Sequence, residues 1–232
     1  MSGGRVSAWP DSAEELVRAQ QALARASPPP WAAPQPPERV GGCFVCFARG
    51  VAGAGAAGDP GVAGAAVTRG RRLEASATAL GRARAPYLAA LLALREGPLL
   101  EAGVRALAVA PPVLLVNATG RDHPRRAGLA LHLGAVLDLP TVGVTSRPLA
   151  AEGRWPDDER GAAAPLRLGG ELVGYWLRTR RGAKPVAVHA GWRTDPDAAV
   201  RLVLAATHRA RTPEPLRRAR TTARTARTRS GI

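Results

Sequence analysis

The chain of 232 residues carries a single lysine, two cysteines and few aromatic side chains, and its acidic residues are heavily outnumbered by basic ones. Each shortage excludes something. Two cysteines cannot supply a disulfide framework or a four-ligand zinc site, and no second pair stands at zinc-ligand spacing. With aromatics at 4%, the core must come from the Ala, Val and Leu that dominate a 46% hydrophobic content. No stretch approaches the roughly 18 consecutive apolar residues of a membrane span, and no basic-then-apolar signal opens the sequence. A cytoplasmic, non-membrane chain is therefore expected, with a length that favours one module; a monomer is expected.

What is abundant is positive charge. Thirty-three basic residues against 18 acidic ones give a net charge of +15, and every basic residue except Lys184 is arginine. Guanidinium forks match phosphate oxygens two at a time, so DNA or RNA is the first partner to consider. Arginines spread evenly over a solvated surface are the alternative, and their placement along the chain must separate the two readings.

The two cysteines lie in Val40-Gly-Gly-Cys-Phe-Val-Cys-Phe47, which reads as a strand of β-branched and aromatic residues bounded by Gly and Arg. Residues three apart in a strand face opposite sides with Cα atoms about 10 Å apart, too far for a disulfide, so Cys43 and Cys46 read as packing thiols. Before this strand, Ser12-x-x-Glu15 is a capping box opening an amphipathic helix over 12–26, and a Pro-rich connector spans 28–37. A Gly/Ala-rich loop over 48–62 leads to two weaker strands near 63–69 and 73–80. Tyr87 to Leu107 reads as helical, broken in two at Gly97-Pro98. Val113–Val116 and Thr141–Val144 are short buried strands, with a helix between them that His123-Pro124 would open. A hairpin over 165–179 turns at Gly169-Gly170, Pro185–Val188 forms a further strand, and Thr194-Asp-Pro-Asp197 starts a helix. The order predicts an α/β fold, a mixed sheet flanked by helices. A single domain over 1–212 with its core at 40–212 is expected, followed by an Arg-rich helix or tail over 213–232.

The densest polar cluster, Val116-Asn-Ala-Thr-Gly-Arg-Asp-His-Pro-Arg-Arg126, lies where a buried strand ends and a helix should begin. Ligands gather at the carboxyl ends of parallel strands, and helix N-termini offer free amides to anions. Gly120, Arg121, Arg125 and Arg126 are therefore candidates for a phosphate or nucleotide edge. At the C-terminus Arg217, Arg220, Arg224 and Arg227 fall on one helical stripe, which reads as an electrostatic arm along a phosphate backbone. The neighbouring threonines lower helix propensity, so a flexible solvated tail is the competing reading.

In order along the chain, Val40-Gly-Gly-x-x-Val-x-Phe47, Pro86-Tyr87, Arg95-Glu96, Gly120-x-x-His-Pro-Arg-Arg126, Asp138-x-Pro-Thr-Val-Gly-Val144, Lys184-Pro185, Gly191-x-Arg193 and Pro213-Glu-Pro215 resemble the signatures of the endonuclease V family. The match runs from Val40 to about Arg217. It implies a ribonuclease H-like fold, Mg²⁺-dependent hydrolysis of a phosphodiester near inosine in DNA or RNA, and a role in repair of deaminated nucleic acid. It also implies that Tyr87 sits at the tip of a strand-separating wedge.

The same resemblance exposes departures. Of the metal-site groups it implies, Glu96 is present, Asn117 stands where an aspartate is expected, Phe44 replaces the first-strand aspartate, and Trp192 takes the place of a histidine. A lysine position is filled by Ser146, or by Arg147 if the register slips by one. Metal-assisted hydrolysis needs several carboxylates converging on one point, which leaves Glu96 and Asn117 as a degenerate ligand set, with His123 near the phosphate or base. Asp122, Asp195 and Asp197 are the carboxylates available to rebuild the site; turn formation and helix capping are their competing roles. The resemblance and its departures together predict an endonuclease V-like protein that recognises inosine-containing nucleic acid and cleaves much more weakly than relatives with an intact site, or not at all. A non-catalytic nucleic-acid-binding relative and a protein-interaction module on the same scaffold are the alternatives.

Overall fold

The Ser12 hydroxyl accepts a hydrogen bond from the Glu15 amide at 3.2 Å, and the Glu15 carboxylate accepts one from the Asp11 amide at 2.9 Å. This capping opens α1 (Ala13–Arg25) in a computed structural model that describes residues 9–32, 37–48 and 55–232. Parts of the Pro-rich connector and of the Gly/Ala-rich loop lie outside the described residues. Beyond them, β1 (Arg39–Phe47), β2 (Pro60–Arg69) and β3 (Arg72–Arg82) form an antiparallel meander. The strands read as weak are thus 10 and 11 residues long, because pairing of β2 on β1, and of β3 on β2, extends them past their own apolar runs.

β4 (Leu114–Val116) and β5 (Thr141–Thr145) continue the sheet parallel to β1, and β6 (Ala163–Leu168), β7 (Glu171–Leu177) and β8 (Val186–Ala190) return antiparallel. The order is β3-β2-β1-β4-β5-β8-β7-β6. Gly169 and Gly170, at φ 56° and 82°, make the two-residue turn of the hairpin, where side-chain-bearing residues would be strained. Alternation along the strands serves both faces. Cys43, Leu114 and Val116 pack with α2 (Leu92–Arg105) and α3 (Leu129–Leu137), while Val40, Val113 and Leu115 pack with α4 (Pro196–Ala205) and the start of α5 (Glu214–Arg229). The result is the mixed sheet with helices on both faces expected of a ribonuclease H-like chain. Cys43 and Cys46 are both free and sit in different core clusters, as residues three apart on a strand must.

Three helices depart from expectation. The segment from Tyr87 to Leu91 is not helical, and α2 then runs unbroken through Pro98. Proline removes only its own N–H from the helix, and the neighbouring Gly97 lets the Trp9 ring lie flat against the backbone. Burial of that ring, with its Nε1 donating to Glu101 at 2.6 Å, offsets the lost bond. Nor does Pro124 open α3. Residues 121–127 form turns with Arg126 at φ 57°, and the helix starts at Leu129 after the Gly128 and Ala130 amides donate to the Gly120 and Thr119 carbonyls.

The third departure is α5, whose residues 213–232 were expected to extend beyond the domain. Its backbone lies on Gly42 and Gly64: an added Cβ at Gly42 would meet the Pro215 carbonyl oxygen at 2.7 Å, and at Gly64 it would meet the Ala223 amide nitrogen at 2.7 Å. Arg227 is buried and donates to the Phe47 carbonyl at 3.1 Å. Packing of Leu216, Ala219 and Ala223 outweighs the weak propensity of the intervening threonines.

Two outcomes follow from this packing. Gly64→Val should drive α5 off the sheet and lower the unfolding free energy by about 2 kcal/mol or more, read by denaturant titration. His132 is fully buried against the Trp9 ring at 4.6 Å between centroids, neither ring nitrogen has a hydrogen-bond partner among the described residues, and burial pushes its pKa down to about 4. Because the folded-state value lies below the unfolded one, its contribution is complete above about pH 6.5 and is lost as pH falls toward 4. A His132→Phe variant should therefore lose less stability over that window than the parent chain.

Candidate functional site

The β1–β4 pairing stops at Cys43 and Val116, while β1 continues against β2 as far as Phe47. At that split the next residues in register are Phe44 and Asn117. Parallel strands β4 and β5 end nearby, beside the point where β1 parts from β4, the place where ligands gather in such sheets. Glu96 reaches the split from α2, Tyr87 from the loop preceding α2, and Arg220 from α5; the cavities they line are contiguous through Tyr87 and Asn117.

The first cavity, about 160 Å³, is bounded by Phe44, Tyr87, Leu92, Glu96 and Asn117. Burial pushes the Glu96 carboxyl up to about 7. Arg95, next in sequence, pulls the other way but is committed elsewhere. Its guanidinium pairs with Asp59 at 2.7 Å, donates to the Ala56 and Ala85 carbonyls, and lies over the Phe47 ring at 4.1 Å. The Phe44 ring faces α5, with the guanidinium carbons of Arg220 and Arg224 at 5.0 and 5.9 Å from its centroid.

A second cavity, about 170 Å³, lies between Tyr87, Leu88, Thr119, His123 and Leu149; a third, about 520 Å³, is open to Thr145, Ser146, Arg147, Arg211 and Arg220. Tyr87 and Leu88 are exposed beside them. The structure thus brings together Tyr87, Glu96, Asn117, His123, Ser146, Arg147 and Arg220, all singled out by sequence.

Others are placed differently. Trp192 does not approach Glu96; it packs beside Leu23, Ala127 and Leu131, and its amide donates to Thr141 Oγ1 at 2.9 Å. Arg121 donates to the Ala24 carbonyl, Arg125 to Gln20 Oε1 and the Ala90 carbonyl, and Arg126 to the Leu168 carbonyl while pairing with Glu171. These three arginines brace α1 and the hairpin instead of presenting a phosphate edge. Gly120 serves close packing, since a Cβ there would collide with the Ala190 carbonyl. The His123 ring is also committed: Nδ1 accepts from the Arg125 amide at 3.1 Å, so Nε2 carries the proton and donates to the Ala90 carbonyl at 3.0 Å. Burial lowers its pKa, which suits this neutral brace better than proton transfer. Arg217 pairs with Glu214, and Arg224 is exposed on α5.

A Mg²⁺ ion needs several oxygen ligands, carboxylates foremost among them. Among the described residues no three His, Cys, Asp or Glu side chains converge. Asp122 is fully buried and accepts from the Leu149, Ala150 and Ala151 amides at 2.6, 2.8 and 2.6 Å; Asp195 caps α4 through the Ala198 amide; Asp197 accepts from the Tyr175 hydroxyl. No replacement carboxylate joins Glu96, and the residues present do not fit the divalent ion that the family resemblance implies.

Sequence reasoning missed the buried chain behind the cavity, in which His189 Nε2 lies 2.9 Å from Thr145 Oγ1 and Nδ1 lies 3.5 Å from Asp122. It also missed the Arg220–Phe44 contact. Neither has a local signal, because the partners come from elements far apart in the chain. Asp122→Asn should turn an amide NH₂ toward backbone donors, cost about 2–4 kcal/mol in denaturant unfolding, and speed hydrogen exchange at the Leu149–Ala151 amides.

The family model described as Endonuclease V matches residues 33–221. A curated endonuclease V of Streptomyces avermitilis is 46% identical over 145 residues, which is 62% of this chain and 63% of that protein; the aligned stretch spans less than two thirds of the relative. A crystal structure of an endonuclease V from the same organism superposes with a TM-score of 0.83 at 37% identity, covering 97% of this chain and 96% of that one. The Ciona intestinalis endonuclease V, solved with a 24mer DNA containing an inosine followed by a ribo-adenosine, shares the fold, with a TM-score of 0.75 at 21% identity over 94% of this chain and 98% of that one. Among the described residues, no helix is long and apolar enough to cross a membrane.

Proposed function

The chain belongs to the endonuclease V family, and on that basis we propose that it recognises inosine-containing nucleic acid but cleaves phosphodiesters far more weakly than relatives with an intact metal site, or not at all. The observation that carries this reading is the occupant of the β1–β4 split. An aromatic ring with a guanidinium on its face stands where Mg²⁺ chemistry needs a carboxylate, Asn117 beside it is neutral, and among the described residues Glu96 belongs to no cluster of three ligand-type side chains.

Recognition is supported by what remains. An exposed Tyr87 stands at the edge of a pocket next to Asn117 and Thr119, and aromatic side chains at such positions stack into the gap left when a base leaves the duplex. The solved Ciona relative is bound to inosine-containing DNA, which supports the same ligand class here. The polyanion reading of the +15 charge agrees, with DNA and RNA both open as substrates.

The test is a cleavage assay on single-stranded DNA, double-stranded DNA and RNA, each with one inosine, in Mg²⁺ and in Mn²⁺, with Glu96→Ala as control. Binding without product above the Glu96→Ala background is the expected result. Turnover close to that of an intact relative, and abolished by Glu96→Ala, would sink the loss of catalysis.

A further inference from the structure

The largest of the three contiguous cavities is built for an anion. Arg220, Arg147 and Arg211 line it together with the neutral donors Asn117, Thr145 and Ser146, and among the described residues no acidic side chain contributes to its wall. The three arginines are not equivalent. Arg211 already donates to the Lys184 and Pro185 carbonyls at 2.6 and 2.7 Å, and Arg147 is exposed at the rim.

Arg220 is different from its neighbours on α5. Arg217 and Arg218 both pair with Glu214, and Arg227 donates to the Phe47 carbonyl. The Arg220 guanidinium instead lies against the Phe44 ring, and its Nε is buried with no hydrogen-bond partner among the described residues. Stacking on an aromatic face fixes the plane of a guanidinium while leaving its N–H edge free for oxygen.

We propose that Arg220, held by Phe44, binds a phosphodiester oxygen of the nucleic acid directly, so that this chain grips its ligand without a divalent cation. The inference rests on the nucleic-acid reading above. Clustered carboxylates repel a phosphate, and a divalent cation between them is what lets the phosphate approach. With Phe and Asn at 44 and 117 that repulsion is reduced to Glu96, whose carboxyl is pushed up to about 7 by burial, and a cation has little to neutralise. A fixed guanidinium then supplies positive charge at the same split in the sheet. Burial and the nearby Arg224 both lower the Arg220 pKa, an electrostatic cost that an incoming phosphate relieves.

The experiment is fluorescence anisotropy on the full chain with a labelled single-stranded DNA carrying one inosine, and with the matched adenine strand, in EDTA and in Mg²⁺. Affinity for the inosine strand should not fall when Mg²⁺ is replaced by EDTA, since no site metal takes part and free Mg²⁺ only competes as a counterion. Arg220→Gln should weaken binding by about tenfold or more and reduce the slope of log K against log salt by about 0.7, the share of one phosphate contact on a single strand. Arg229→Gln, an exposed position at the far end of α5, should change little. If Arg220→Gln does not fold, Phe44→Leu keeps the apolar contact, removes the ring face and should weaken binding in the same direction. Loss of binding in EDTA, or equal affinities and slopes for Arg220→Gln and Arg229→Gln, overturns the proposal. Metal-independent, Arg220-dependent binding that ignores inosine versus adenine supports it, and overturns the inosine reading alone.

Discussion

The close approach of α5 to the glycines of β1 and β2 is the constraint on which the cavity depends. A helix normally stands well off a sheet, because side chains on both surfaces must fit between them at close-packed density. Here Gly42 and Gly64 remove those side chains from the sheet, and α5 answers with Leu216, Ala219 and Ala223. The helix is thereby fixed in height and rotation. Arg220, one residue beyond Ala219, is carried over the Phe44 ring as a consequence.

On the opposite side of the site the fixing agent is a single buried carboxylate. Asp122 takes three amides from the loop after β5, and beside it His189 and Thr145 tie β8 to the end of β5. A buried carboxylate so fully hydrogen-bonded is tolerated because each backbone donor replaces a lost water. The loop carrying Leu149 is held as one wall of the pocket, so the cavity is shaped from both sides by fixed elements: α5 across glycine, and the β5 loop across Asp122.

The large arginine content acquires several separate meanings in the folded chain. Arg95 is buried against Asp59 and Phe47, Arg121, Arg125 and Arg126 satisfy carbonyls and side chains of neighbouring elements, and Arg178 donates to the carbonyls of Asp157 and Pro156. A long side chain with five donors is well suited to such bracing, since it can reach carbonyls left unpaired by turns and helix ends. Only part of the +15 charge therefore faces a ligand. The same economy of acids that raises the net charge also empties the expected ligand set: Phe44 and Asn117 are among the positions where a carboxylate is missing.

Local sequence determined the elements whose signals are local. The capping box at Ser12 and Glu15, the strand through Cys43 and Cys46, the Gly169-Gly170 turn and the Asp195 cap all form where expected, because each depends on contacts within a few residues. The ordered family motifs also placed Glu96, Asn117 and Tyr87 at one site, and fixed Phe44 as the anomaly. Tertiary structure alone decided the rest. Pro98 stays inside a helix because Trp9, distant in sequence, packs on Gly97; α5 docks although its threonines argue for a loose tail; Trp192, Arg121, Arg125 and Arg126 turn away from the site. In each case burial against a remote partner outweighs a local preference worth less than about 1 kcal/mol per residue, or about 3 kcal/mol for a proline. The contact between Arg220 and Phe44 belongs to this second class: both residues were visible in the sequence, and only the fold makes them neighbours.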